Sequence, residues 1–214
     1  MNGTIGKVYH ASDFIMNLAY LNLLWIGSTL LGGIVMGWAP STVALYTVIR
    51  KWIMKDPDLS FFKMYKEAYK KEFLKANGLG YIMVAAGLVL TINLQYFIHQ
   101  EGIVFFALKI FTFIILAIYL SATLLLFPIY VQYQLTFFQY LNQSVMIGFV
   151  KPFWTLILII GFLVISFIIF TLPGLIPFFG MSLSSFIIMA IVCQIFHSLE
   201  SSVKPDNPQM EQSA

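Results

Sequence analysis

Residues 17–52 decide the fold class, and their sequence is NLAYLNLLWIGSTLLGGIVMGWAPSTVALYTVIRKW. An apolar run ends near Trp38, and Pro40 then opens a short helix that finishes on Arg50 and Lys51. About 20 apolar residues cross roughly 30 Å of hydrocarbon, because an α-helix rises about 1.5 Å per residue. The stretch therefore predicts a membrane-spanning helix followed by a charged elbow at the membrane surface.

The composition of the whole chain supports a lipid environment. Of its 214 residues, 60% are hydrophobic and 10% are charged, whereas a soluble domain has about 25% charged residues. The single cysteine, Cys193, excludes a disulfide within the chain. No carboxylate lies deep in an apolar run, and no glycine loop suited to phosphate is present. We therefore predict a protein that is not an enzyme, has no metal or cofactor, and binds lipid rather than nucleic acid.

The fold class predicted from these runs is an all-α membrane protein with about five transmembrane helices and amphipathic helices on the cytoplasmic side. A single transmembrane domain covers residues 1–199, and residues 200–214 form a polar tail that we predict to be disordered and cytoplasmic. The predicted spans are 14–37, 76–98, 103–127, 153–172 and 178–199, with a cytoplasmic amphipathic segment at 40–75 and an interfacial segment at 129–150.

The segment 129–150 has two interpretations. It carries no formal charge but several amide side chains, including Gln139 and Asn142, which are costly to expose to lipid. We interpret it as a continuation of the third helix into the interface, packed on protein. The alternative is a sixth span.

The basic residues predict the orientation. Eight of the twelve Lys and Arg residues lie between the first two predicted spans. Cytoplasmic loops carry an excess of Lys and Arg, so five spans place the N-terminus outside and the C-terminus in the cytoplasm. A sixth span would move the C-terminal half to the other side.

Part of this cytoplasmic segment is amphipathic. Phe62, Tyr65, Tyr69 and Phe73 recur at three- and four-residue spacing, and the neighbouring lysines lie mostly away from that stripe. The pattern is typical of a helix in the headgroup layer.

Small and polar residues within the spans suggest helix contacts. Gly33 and Gly37 form a GxxxG pattern that predicts close helix packing, including homo-oligomerisation. Lys109 lies about two turns into the third span, where we expect it to reach back to the outer surface. Amides such as Asn22 and Asn93 are expected to bond across helix interfaces, or else to line a solute path.

Three short segments carry a family resemblance: LNLLW at 21–25, PSTVALY at 40–46 and VIRK at 48–51. Together they resemble the YesL family of bacterial membrane proteins, a domain of unknown function. The resemblance continues through 61–73 and resumes at Phe127-Pro128 and Lys151-Pro152. It implies a multi-pass protein of the bacterial cell membrane, found near carbohydrate ABC importers and sugar-degradation genes, and it implies no established activity.

Our first hypothesis is an accessory or assembly partner of a carbohydrate ABC importer, in contact with its permease subunits. The alternatives are a small-solute transporter or channel, and a membrane-embedded regulator. The candidate polar or partner-contact positions are Asn22, Pro40, Thr42, Arg50, Lys51, Gln139 and Asn142.

Overall fold

The computed structural model describes residues 4–56 and 60–203, and these residues form seven α-helices, one 3-10 turn and no strand. Five helical segments are long and apolar enough to cross a membrane. The predicted all-α membrane class is therefore confirmed. The helices are α1 (Thr4–Leu31), α2 (Trp38–Ile53), α3 (Phe61–Ile98), α4 (Ile103–Gln132), α5 (Phe137–Val150), α6 (Pro152–Thr171) and α7 (Ile176–Val203), with the 3-10 turn at Pro173–Leu175.

The chain reverses direction directly after α1. This helix ends at Leu31, earlier than the predicted boundary at 37, and residues 32–37 form a turn. Gly33 and Ile34 both have positive φ there, at 73° and 62°. Gly37 faces α1 so closely that a Cβ on it would lie 2.3 Å from the Thr29 carbonyl oxygen. The two glycines of the GxxxG pattern therefore build a turn and do not form the helical face that the pattern predicts.

The second helix, α2, runs antiparallel to α1. Ser28 Oγ and Ser41 Oγ are 2.7 Å apart near the turn, and the rings of Phe14 and Trp52 lie 5.3 Å apart near the other end. Residues 39–46, 48 and 49 of α2 are all buried. They pack against α1, α3, α4 and α7. The elbow predicted at the membrane surface is thus the central helix of the bundle.

The third helix, α3, is continuous from its lysine-rich first half to its apolar second half. Residues 61–75 of the predicted amphipathic segment and the predicted second span form one helix of 38 residues, while the earlier part of that segment forms α2. Trp52 meets Phe61 at 5.7 Å, and a Cβ on Gly80 would contact the Ala39 side chain. The first half of α3 therefore runs along α2 in the opposite direction.

The helices α1 and α7 are also antiparallel. Asn22 contacts the beginning of α7, and the ring centres of Phe14 and Phe186 are 5.0 Å apart. The start of α1 and the end of α7 therefore lie at the same end of this helix pair. Which side of a membrane each terminus faces stays a prediction. The helix α2 carries the chain back along α1, although its 16 residues are too few to be counted as a span.

The region after α4 also differs from its predicted form. The helix continues through Pro128 to Gln132, and α5 is a separate helix after a break at 133–136. With 14 residues, α5 is about 21 Å long, and it is not among the five candidate spans. Tyr140, Ser144 and Ile147 are buried on its inner face. Its depth in a membrane stays a prediction. The tail was predicted to be disordered from residue 200, but α7 extends to Val203, and the remaining residues, 204–214, lie outside the described residues.

Candidate functional site

The side chain of Asn22 in α1 is hydrogen-bonded to the first turns of α7. Its side-chain nitrogen donates to the carbonyl oxygens of Ile176 and Pro177, at 3.1 and 2.8 Å. Its side-chain oxygen accepts from the backbone N–H groups of Met181 and Ser182, at 2.9 and 3.1 Å. The residue is only 1% exposed. If Asn22 lined a solute path, its four hydrogen bonds to α7 would have to break. Asn22 is therefore a residue that packs α1 against α7.

A serine–tyrosine cluster, Ser28, Ser41, Tyr65 and Tyr69, joins α1, α2 and α3. Ser28 Oγ lies 2.7 Å from Ser41 Oγ and 2.7 Å from the Tyr65 hydroxyl. The Tyr65 hydroxyl donates to the Ser41 carbonyl at 3.1 Å, and the Tyr69 hydroxyl donates to the Ser28 carbonyl at 3.1 Å. Two members of the predicted aromatic stripe therefore bind the protein's own helices.

Thr42 makes a second polar link between α1 and α2. Its hydroxyl accepts from the indole nitrogen of Trp25 at 3.1 Å and donates to the Trp38 carbonyl at 2.7 Å. Thr42 and its neighbour Pro40 are both buried. Pro40 is the third residue of α2 rather than the first, a position where its missing N–H still costs no intrahelical bond. Both positions therefore serve the packing of α2.

The basic residues at the end of α2 make polar contacts with neighbouring side chains. The Arg50 side chain donates from Nε to the Gln132 side-chain oxygen of α4, and Lys51 Nζ lies 3.4 Å from Asp56 Oδ2. Basic side chains in a last helical turn also interact favourably with the helix dipole. A second link between helices joins the Tyr130 hydroxyl of α4 to the Glu72 carboxylate of α3.

Gln139 and Asn142 lie apart from the other candidate positions, on the exposed side of α5. Gln139 caps its own helix, because its side-chain oxygen accepts from the Thr136 N–H at 2.9 Å. The seven candidate positions thus do not form one pocket. The described part of the chain also holds no group of three His, Cys, Asp or Glu residues arranged to bind a metal ion.

The α3–α4 hairpin, which we define as residues 81–98 of α3 and 103–120 of α4, leaves an extended apolar surface uncovered. The two helices of this hairpin contact each other: the Tyr119 hydroxyl donates to the Met83 carbonyl at 2.8 Å, and the ring centres of Phe97 and Phe105 are 6.4 Å apart. Lys109 donates to the Gln100 carbonyl at 3.0 Å, so it reaches back to the connecting turn as expected. In each of the two helices, only 6% of the most apolar window is buried.

Polar side chains interrupt the apolar surface of this hairpin. Thr91, Asn93 and Gln95 are exposed on α3. The amide nitrogen of Asn93 donates to the Val89 carbonyl of its own helix at 2.8 Å, and the Thr91 hydroxyl donates to the Gly87 carbonyl at 2.8 Å. Neither bond reaches another helix. Thr91 and Gln95 are four residues apart and share one face of α3, whereas Asn93 points to a different side, and both sides are uncovered.

The serine–tyrosine cluster and the Asn22 contacts were not predicted as such from the sequence. The spacing of the tyrosines correctly predicted that they share one face of α3. It did not predict that this face contacts α1 and α2. The partner of Asn22 lies more than 150 residues away in the chain, so no local pattern indicates it.

Helices of this length and apolarity define the class as a multi-pass, all-helical membrane-type protein, and comparison with known proteins identifies the family. A family described as "Protein of unknown function, DUF624" matches residues 18–94, which contain α2 and most of α3. The uncharacterized protein YesV of Bacillus subtilis (strain 168) is 38% identical, over 91% of this chain and 93% of its own length.

Two further relatives from the same organism support this assignment. The uncharacterized protein YteU is 32% identical, over 93% of this chain and 89% of its own length. The uncharacterized protein YesL is 31% identical, over 89% of this chain and 90% of its own length. The chain belongs to this YesL-like DUF624 family, as its motifs predicted. No solved structure matches it.

Proposed function

We propose that this protein is an accessory or assembly partner of a carbohydrate ABC importer, and that it acts by binding within the membrane rather than by catalysis. The observation that carries the proposal is the α3–α4 hairpin, with Asn93 and Gln95 exposed on helices that are otherwise apolar. The importer as partner is supported by the gene context that the family resemblance implies.

The physical argument concerns the polar groups of the hairpin. An amide that faces lipid is costly, because hydrocarbon supplies no hydrogen-bond partner. An adjacent transmembrane helix removes this cost when it offers backbone or side-chain partners. The face of α3 that carries Thr91 and Gln95 therefore suits a membrane helix of another protein, and the permease subunits of an importer supply such helices.

Site-specific cross-linking tests this proposal. A benzophenone is attached to a single cysteine, Gln95→Cys, in a Cys193→Ser background, in cells that also express the permease subunits of a carbohydrate importer. We expect an adduct with a permease subunit after illumination. The matched control is Phe167→Cys on α6, a position that is 71% exposed and that we expect to react with lipid alone.

Two results would contradict the proposal. One is equal permease adducts at positions 95 and 167, which would indicate collisions without a specific interface. The other is an adduct at position 95 that contains only a second copy of this chain.

We also propose that both termini face the cytoplasm. Support comes from the antiparallel arrangement of α1 and α7 and from the reversal by α2, which adds a sixth passage of the chain between the two ends of the bundle. In this orientation Lys7, the basic end of α2, the start of α3 and Lys151 all belong to one side. Among the described residues, that side then carries every Lys and Arg except Lys109, in agreement with the excess of basic residues in cytoplasmic loops.

A further inference from the structure

The first half of α3 has one face that the bundle leaves uncovered. Tyr65 and Ala76 are buried against the neighbouring helices, with exposures of 3% and 0%. The opposite face is exposed and consists mainly of lysines. These lysines are Lys63, Lys66, Lys70, Lys71 and Lys75.

Three of these lysines form a continuous row. Lys63, Lys66 and Lys70 follow a spacing of three and four residues, so their side chains lie on one face of α3. They have no ion-pair partner among the residues that the structure describes. Lys71 differs, because its Nζ lies 3.9 Å from Glu72 Oε1. Glu67 is the one exposed acidic residue between them, so the face keeps a strong positive charge.

Apolar side chains lie within and beside this basic face. Leu74 follows Lys70 by four residues and is 83% exposed, and Phe62 next to Lys63 is 55% exposed. A surface for an acidic water-soluble partner does not require such side chains. A membrane surface does, because cations bind the headgroups while apolar side chains enter the acyl boundary.

We propose that this basic face of α3 binds the headgroups of anionic phospholipids in the cytoplasmic leaflet. The start of α3 is cytoplasmic whether the N-terminus lies outside or inside, so the proposal does not depend on the orientation argued above. Charge complementarity identifies the partner, since a lysine near an anionic membrane surface attracts it by about 1 kcal/mol. The consequence is that the 38-residue helix α3 is anchored by lipid charge at its cytoplasmic end.

Lipid binding to the purified protein tests this proposal. The delipidated protein in neutral detergent is mixed with equal amounts of phosphatidylglycerol and phosphatidylcholine, and bound lipids are counted by native mass spectrometry. We expect a clear preference for phosphatidylglycerol. In Lys63→Gln/Lys66→Gln/Lys70→Gln that preference falls by about tenfold or more at low salt.

The control has the same change in net charge at other positions, Lys7→Gln/Lys55→Gln/Lys109→Gln, and we expect its lipid preference to stay within about twofold of wild type. Added salt should reduce the preference of the wild type toward that of the first variant. Equal binding of the two lipids by wild type, or equal losses in both variants, would overturn the proposal. So would tight binding of a soluble polyglutamate peptide with no lipid preference, which would assign the face to an acidic protein segment.

Discussion

Asn22 shows how a polar residue in an apolar helix is used to hold the bundle together. Its amide makes four hydrogen bonds to the backbone of α7 and is almost fully buried. Asn93 has the same side chain in a similar apolar setting, yet it bonds only within its own helix and is exposed. The two residues therefore have different roles although their sequence surroundings are alike.

Substitution of these two asparagines separates the roles. Hydrogen bonds between membrane helices contribute about 0.6 kcal/mol each, so Asn22→Leu should cost about 2 kcal/mol and lower Tm by about 4–8 °C. Asn93→Leu should leave Tm unchanged or slightly raised, because it removes an exposed amide. Thermal unfolding in detergent, followed by the reaction of Cys193 with a thiol-reactive fluorophore, measures both. An equal fall in Tm in the two variants would contradict the difference between the roles of Asn22 and Asn93.

At the scale of the element, α2 depends on the turn that precedes it. Residues 32–37 bring α2 back against α1, and Gly37 lies where a side chain would meet the backbone of Thr29. The φ of Gly37 is −87°, so the backbone itself accepts any residue at this position. The close approach of the two helices, and not a conformational preference, requires glycine there.

Alanine substitutions of two glycines test this contact. Gly37→Ala should destabilise the protein by about 1–3 kcal/mol, the usual range for an overpacked site. Gly27→Ala is the matched control, because a Cβ at Gly27 has no atom within 4 Å. Since alanine is the better helix former, Gly27→Ala should raise the stability by about 0.5–1 kcal/mol. Similar thermal stability of both variants would show that α1 and α2 do not meet closely at Gly37.

The elements differ in how far the sequence predicts them. The apolar runs of α6, α7 and the α3–α4 hairpin are long enough that composition alone identifies them. Composition does not identify α2, because its 16 residues are too few for a span and part of its burial comes from α4 and α7, which are distant in sequence. The Gly32-Gly33 pair was a usable turn signal, but the overlapping GxxxG pattern suggested a helix interface there.

At the scale of the whole molecule, the orientation depends on whether the return of the chain through α2 is counted as a membrane passage. Hydropathy does not count α2 as a span, and counting it would reverse the side assigned to the N-terminus. The same basic residues support either count, because they lie close together on one side of the bundle in both. The candidate positions illustrate a similar limit: Gln139 and Asn142 were selected with Asn22 for their polarity, and only the tertiary structure separates them.

Labelling with a membrane-impermeant thiol reagent tests the proposed orientation most directly. Single cysteines replace Lys7 and His99 in a Cys193→Ser background, since Lys7 is exposed near the start of α1 and His99 lies at the turn of the hairpin. With both termini in the cytoplasm, intact cells should label at position 99, and position 7 should label only after permeabilisation. Labelling of position 7 in intact cells would contradict the proposed orientation.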